Sequence, residues 1–174
     1  GLDGSFNANC LLARRLAESG VRFIQLYHRD WDHHGGVRDG IAGIAKEVDT
    51  PCSALIADLK QRGMLDETLI VVTSEMGRTP RINGNAGRDH WTNCYGSLLA
   101  GAGIRGGTVY GTSDSQAAYV QDKPVRDAGD EQEEARAEQV HVLDRLAVDV
   151  RFDEQGQQVV GALALGQGPV LGDP

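Results

Sequence analysis

The sequence predicts an α/β fold, a mostly parallel sheet with flanking helices. Three observations predict it. Residues 21–27 alternate in the manner of a strand. Residues 68–73, Thr-Leu-Ile-Val-Val-Thr, form an apolar, β-branched run of strand length, with the composition of a strand buried on both faces. Between them, residues 37–62 carry helical periodicity, and strand, helix and strand imply a right-handed crossover joining parallel strands.

The remaining elements follow in order. Residues 5–19 read as a helix, with Phe6, Leu11, Leu12, Leu16 and Ala17 on its apolar face and Gly20 as its stop. The helix at 37–62 is expected to break at Thr50-Pro51, where Thr50 caps a new helix and Pro51 takes its first position. Leu55, Ile56 and Leu59 then face the core, and Gly63 ends the helix. Residues 81–93 read as loop, 97–100 and 108–110 as short strands, and 112–123 as polar loop. The glycine-rich stretch 101–107 has no following helix, so it reads as turns rather than a dinucleotide loop. Further on, 127–137 is acidic, 139–148 fits a short amphipathic helix, and 152–165 suggests a hairpin around Gln155-Gly156. The chain therefore divides into an α/β part, 1–126, and an acidic segment, short helix and divergent tail, 127–174.

At 174 residues the chain can bury one core, and 40% hydrophobic with 24% charged residues is a globular composition. A net charge of -8 argues against nucleic acid as a partner. No apolar run approaches the roughly 20 residues of a membrane helix. The three cysteines, Cys10, Cys52 and Cys94, are widely spaced and odd in number, so free thiols are expected rather than a disulfide framework or zinc ribbon. The chain opens inside a helix and reads as a piece of something longer.

Chemistry-bearing residues gather at two places. Tyr27-His28-Arg29-Asp30-Trp31-Asp32-His33-His34-Gly35-Gly36 follows the first strand, and Ser74-Glu75-Met76-Gly77-Arg78 follows the second. Asp32 and His34 are two apart, so an extended backbone points both to one side. The crossover brings Glu75 and Arg78 to the same sheet edge, where α/β sheets place ligands. With His90, these residues form a mixed oxygen and nitrogen donor set suited to zinc, manganese or iron. Arg78 supplies a planar cation matched to a phosphate or sulfate. Plainer roles stand beside these. Arg78 can pair with Glu75, and His90 can be a loop histidine packed by Trp91. Asp89 can orient His90 or cap a turn, and His28 and His33 read as bystanders.

Ala13-Arg14-Arg15-Leu16, Val21 through His28, Trp31-Asp32-His33-His34, Leu59 through Gly63, Glu75 through Pro80 and Gly87-Arg88-Asp89-His90-Trp91 stand in one order across residues 10–125. In these blocks the chain resembles a large bacterial domain-of-unknown-function family, "fifteen-oh-one". That family is similar to the sulfatase and alkaline-phosphatase superfamily. The resemblance implies a metal-dependent hydrolase of sulfate or phosphate esters, with Asp32, His34 and His90 as metal ligands. It makes Glu75 a further ligand or base and Arg78 the anion holder. The implied cofactor is a divalent metal, zinc first, then manganese, iron or calcium, and the implied substrate is a small anionic ester or sulfated saccharide. Intact relatives resemble exported proteins. Met76 stands where the superfamily has a histidine, and a thioether is a poor ligand for a hard cation, so one metal site is expected rather than two. The superfamily's nucleophile comes from a segment ahead of residue 1, so this chain is expected to be a C-terminal portion, inactive in isolation and prone to self-association through exposed strand edges. The alternative is a non-catalytic metal-binding or structural relic of that fold.

Overall fold

The computed structural model describes residues 4–125 together with the backbone of 162–167. The expected acidic stretch, the helix at 139–148 and most of the hairpin at 152–165 lie outside the described residues. In chain order the elements are α1 (Phe6–Glu18), β1 (Phe23–Ile24), α2 (Val37–Gln61), a 3-10 turn (Leu65–Glu67), β2 (Thr68–Thr73), β3 (Gly77–Arg78), β4 (His90–Trp91), β5 (Leu98–Ala100), β6 (Thr112–Ser113), β7 (Val120–Asp122) and β8 (Ala162–Gln167).

Helix α1 starts at Ser5, whose hydroxyl oxygen accepts from the Ala8 N–H at 3.2 Å and satisfies one of the helix's orphan donors. Its buried stripe is Ala8, Cys10, Ala13 and Ala17. Leu11, expected on that face, is 42% exposed. Spacings of three and four from Cys10 through Ala13 to Ala17 set the stripe, and Leu11 lies one position off it.

Helix α2 corrects the expected break. It runs unbroken for 25 residues with Pro51 inside it. Proline cannot donate to the carbonyl four residues back. The Ser53 hydroxyl donates to the Thr50 carbonyl at 3.0 Å, one turn before it. Beyond the proline, Leu55 and Leu59 anchor the helix in the core at 4% and 0% exposure.

The main sheet has the order β1-β8-β2-β5, and every pairing among these strands is antiparallel. The fold is therefore a mix of helices and small antiparallel sheets, and the expected mostly parallel sheet is corrected. The reason is β8, which lies between β1 and β2 and runs against both. β1 and β2 still point the same way, as their helical crossover requires, but neither pairs with the other. β2 matches its sequence reading: Thr68, Leu69, Ile70 and Val71 are all buried. β1 is shorter than the expected 21–27, and the strand expected at 108–110 is replaced by the β6–β7 hairpin at residues read as loop.

One core joins these parts. Cys10, Ala13, Ala17, Ile24, Leu55, Leu59 and Ile70 form its buried centre, with Phe6, Leu16, Ile56 and Val72 around them. The α1–α2 interface is edged by charge. Asp58 pairs with Arg14 at 3.0 Å and with Arg62 at 2.8 Å, and Arg62 reaches Glu18 at 2.9 Å.

Leu59→Ala should cost about 3 kcal/mol, the range for emptying a fully buried leucine site. A urea melt showing a loss below about 1 kcal/mol would contradict this placement of the core.

Candidate metal centre

Asp32, His34, Arg78 and His90 are positioned by two short segments that lock together. The first follows β1. There the His33 N–H donates to the Trp31 carbonyl at 3.1 Å and the His34 N–H to the Asp32 carbonyl at 3.2 Å. These are successive three-residue turns, so Asp32 and His34 converge through turning rather than the expected extended backbone. The second segment is the β3–β4 ribbon, whose register sets Arg78 directly opposite His90.

The loop between β3 and β4 docks on the first segment. Gly36 and Val37 donate backbone N–H groups to the Asn85 and Ala86 carbonyls, and Arg88 donates to the His33 carbonyl at 3.0 Å. Gly87 lies where the chains touch. A Cβ there would fall 2.0 Å from the His34 carbonyl carbon, a distance no side chain survives. Asn83 uses its whole amide in this loop. Its Oδ1 accepts from the Asn85 and Gly87 N–H groups, and its Nδ2 donates to the His34 carbonyl at 3.1 Å and to Asp89 at 3.0 Å.

Asp32, His34 and His90 each offer a ligand atom, and these atoms lie within 4.8 Å of one another. Asp32 Oδ1 is the meeting point. His90 Nε2 lies 2.9 Å from it, His34 Nε2 3.0 Å, and the Arg78 guanidinium is hydrogen-bonded to the same oxygen. The other nitrogen of His34, Nδ1, lies 2.9 Å from Asp89 Oδ1. The two imidazole rings stand 5.0 Å apart, tilted by 41°. His34 and His90 are about half exposed, and Asp32 less so.

Charge follows this geometry. Burial opposes ionisation of Asp32, but hydrogen bonds from His90 and Arg78 and the charges of Arg78 and His34 outweigh it and hold the carboxyl below its ordinary range. Hydrogen bonds from His34 and Asn83 likewise hold Asp89 down.

Several readings left open by sequence are settled. Arg78 pairs with Asp32, and its Nη2 also reaches the Trp31 carbonyl at 3.4 Å. Asp89 orients His34 rather than His90. Trp91 packs against Tyr119 and donates to the Ala118 carbonyl, away from His90. Glu75 is not among the three clustered residues; its Oε2 is buried without a hydrogen-bond partner. His33 places its ring over Gly40. His28 is 9% exposed and accepts at Nδ1 from the Trp31 indole N–H at 3.0 Å, with Glu47 3.3 Å from its other nitrogen. His28 and Trp31, with Phe6, Cys52, Met76 and Arg78, line a recess of about 440 Å³. Asn83 escaped the sequence reading, although Asn83-Gly84-Asn85 is a turn signal and an asparagine there commonly bonds its own loop.

A mixed α/β chain carrying an Asp-His-His cluster beside an arginine-edged recess is thus defined. Residues 1–128 match the family described as "Protein of unknown function (DUF1501)", and the chain belongs to that family. Neither the curated proteins nor the solved structures yield a match. Among the described residues no helix is long and apolar enough to cross a membrane.

Gly87→Ala should part the two segments and scatter the cluster while leaving the α1–α2 core folded. Unchanged His34 and His90 side-chain NMR signals in that variant would contradict the docking. The depressed carboxyls add stability that is fully present above their unfolded value of about 4 and is lost as pH falls through the lower folded value. Asp32→Asn should therefore flatten the decline of Tm below about pH 4, and an unaltered acid limb would count against the Asp32 contacts.

Proposed function

We propose that Asp32, His34 and His90 hold one divalent cation in a hydrolase site for sulfate or phosphate esters, the chemistry of the sulfatase and alkaline-phosphatase superfamily. The observation that carries this reading is the position of His34. Each of its ring nitrogens faces a carboxylate, Nδ1 toward Asp89 and Nε2 toward Asp32. A neutral imidazole has one N–H to give. With that proton on Nδ1 and directed at Asp89, Nε2 and Asp32 Oδ1 are two acceptors 3.0 Å apart. That is close to the spacing of two ligands on one cation with bonds of about 2.0–2.2 Å. The same carboxylate oxygen has three nitrogens around it, more than its two lone pairs accommodate well.

Two imidazoles and one carboxylate favour zinc, with manganese or iron as lesser fits; calcium prefers oxygen throughout. When bound, the cation supplies Lewis acidity and lowers the pKa of water. The protein's own groups do the rest. Asp89 fixes the ring of His34 and its tautomer, as a carboxylate behind a ligating histidine does. Arg78, on the wall of the recess and hydrogen-bonded to Asp32, is placed to hold an anionic ester group beside the cluster. The apolar wall of Phe6, Trp31 and Met76 accepts the uncharged part of such an ester.

A second reading, metal binding without catalysis, is favoured by the composition of the cluster. It offers three ligands, and Met76 on the recess wall adds only a thioether.

Protein loaded with zinc and dialysed should retain about one equivalent by elemental analysis. His34→Ala with His90→Ala should retain none, and Asp89→Asn should bind about 10- to 100-fold more weakly, the usual cost of losing a carboxylate behind a ligating histidine. A folded wild type that retains no metal would overturn the proposal. Hydrolysis of an aryl sulfate or aryl phosphate by the metal-loaded protein, abolished by Arg78→Ala, separates the hydrolase from the binding reading.

A further inference from the structure

The recess beside the candidate centre has an unequal charge balance. Its volume of about 440 Å³ is that of a small-molecule site. Three rings stand in series along its wall. Phe6 meets His28 edge to face with ring centroids 5.1 Å apart, and His28 meets Trp31 in the same manner at 5.8 Å. The strongly polar side chains among these walls are mostly satisfied by the protein itself. The Trp31 indole N–H and Glu47 occupy the two nitrogens of His28. The Thr73 hydroxyl meets that of Ser97 at 2.6 Å, and the Ser74 hydroxyl donates to the Met76 carbonyl at 2.9 Å. Arg78 is paired with Asp32, which offsets its charge.

Asp49 is the exception. It lines the recess from α2 and is exposed, which puts its carboxylate at the mouth. Among the described residues it has no hydrogen bond and no ion pair, not even with Lys46 three residues back on the same helix. With Arg78 offset by Asp32, the recess is left with one negative charge beside a row of rings. Ring faces are themselves negative, so both features favour a cation. The chain's net charge of -8 acts in the same direction at longer range.

We propose that the recess binds an organic ammonium ion. The ammonium group pairs with Asp49, and the apolar body of the ligand lies against Phe6, Trp31 and Met76. Asp49 is not among the clustered residues Asp32, His34 and His90, so this binding needs no metal. Joined to the hydrolase reading, on which this one step rests, it narrows the substrate to esters whose alcohol part ends in an ammonium group. The anion then sits at Arg78, the uncharged middle on the aromatic wall and the ammonium at Asp49.

The test uses the metal-free full chain and three probes of similar shape, 2-phenylethylammonium, 2-phenylethanol and phenylacetate. Binding is followed by NMR titration of the indole N–H resonances of the two tryptophans, Trp31 and Trp91. The ammonium should bind at least about tenfold more tightly than the alcohol, the effect of one hydrogen bond to a charged group. Phenylacetate should bind no better than the alcohol. The Trp31 resonance should move, and that of Trp91, which packs on Tyr119, should stay. Asp49→Asn, at an exposed helix position, should bring the ammonium down to the level of the alcohol. Equal binding of ammonium and alcohol, a preference for phenylacetate, no binding of the ammonium, or a preference that survives Asp49→Asn overturns the proposal. The wild-type comparison of probes needs no variant. Because the titration is free of metal, its failure leaves zinc retention as a separate question, and a protein that retains no zinc can still pass it.

Discussion

The close passage of Gly87 beneath His34 is the constraint on which the site depends. Two stretches far apart in sequence approach so tightly that only a hydrogen fits between the Gly87 α-carbon and the His34 carbonyl. Around that passage the backbone of 35–37 is bonded to that of 85–86, and Asn83 ties the loop to itself and to His34. Two non-glycine residues with left-handed backbone, Asp30 and Ala86, flank the junction at φ 67° and 57°. Such conformations cost free energy and persist where surrounding contacts impose them. Asp32, His34, Asp89 and His90 converge because this seam holds, not because any one strand aims them together.

The helices and the central strand serve as the platform. Burial of β2 between β8 and β5 and of Leu59 beneath it fixes the point from which residues 74–78 emerge. The same-direction relation of β1 and β2 brings both emerging segments to one end of the sheet. An antiparallel strand inserted between them leaves that relation intact, which explains how the site survives a sheet quite unlike the expected one. The recess forms where α1, α2 and the segment after β2 leave space, and its wall carries both the arginine of the candidate centre and Cys52 of α2.

Local signals in the sequence proved reliable where physics is local. Gly20 and Gly63 as stops and the β-branched run at β2 were all legible, because helix termination and strand burial depend on neighbours in the chain. Asp32 and His34 could be paired by spacing, although turns rather than extension bring them together. What escaped was set by distant partners. Nothing in residues 68–73 announces that its neighbour is β8 rather than β1. The continuity of α2 through Pro51 rests on the core contacts of Leu55 and Leu59, which outweigh one lost backbone hydrogen bond. The pairing of Asp89 with His34 instead of the adjacent His90 follows from the Asn83 loop, and no periodicity encodes it.

The central claim is that His34 keeps its proton on Nδ1, toward Asp89, and presents Nε2 to a cation shared with Asp32 and His90. Nitrogen-15 NMR of histidine-labelled protein titrated with zinc reads this directly. The account predicts that zinc shifts the Nε2 resonances of His34 and His90 while Nδ1 of His34 remains protonated. Resonances that do not respond to zinc, or a response at Nδ1 of His34, would contradict it.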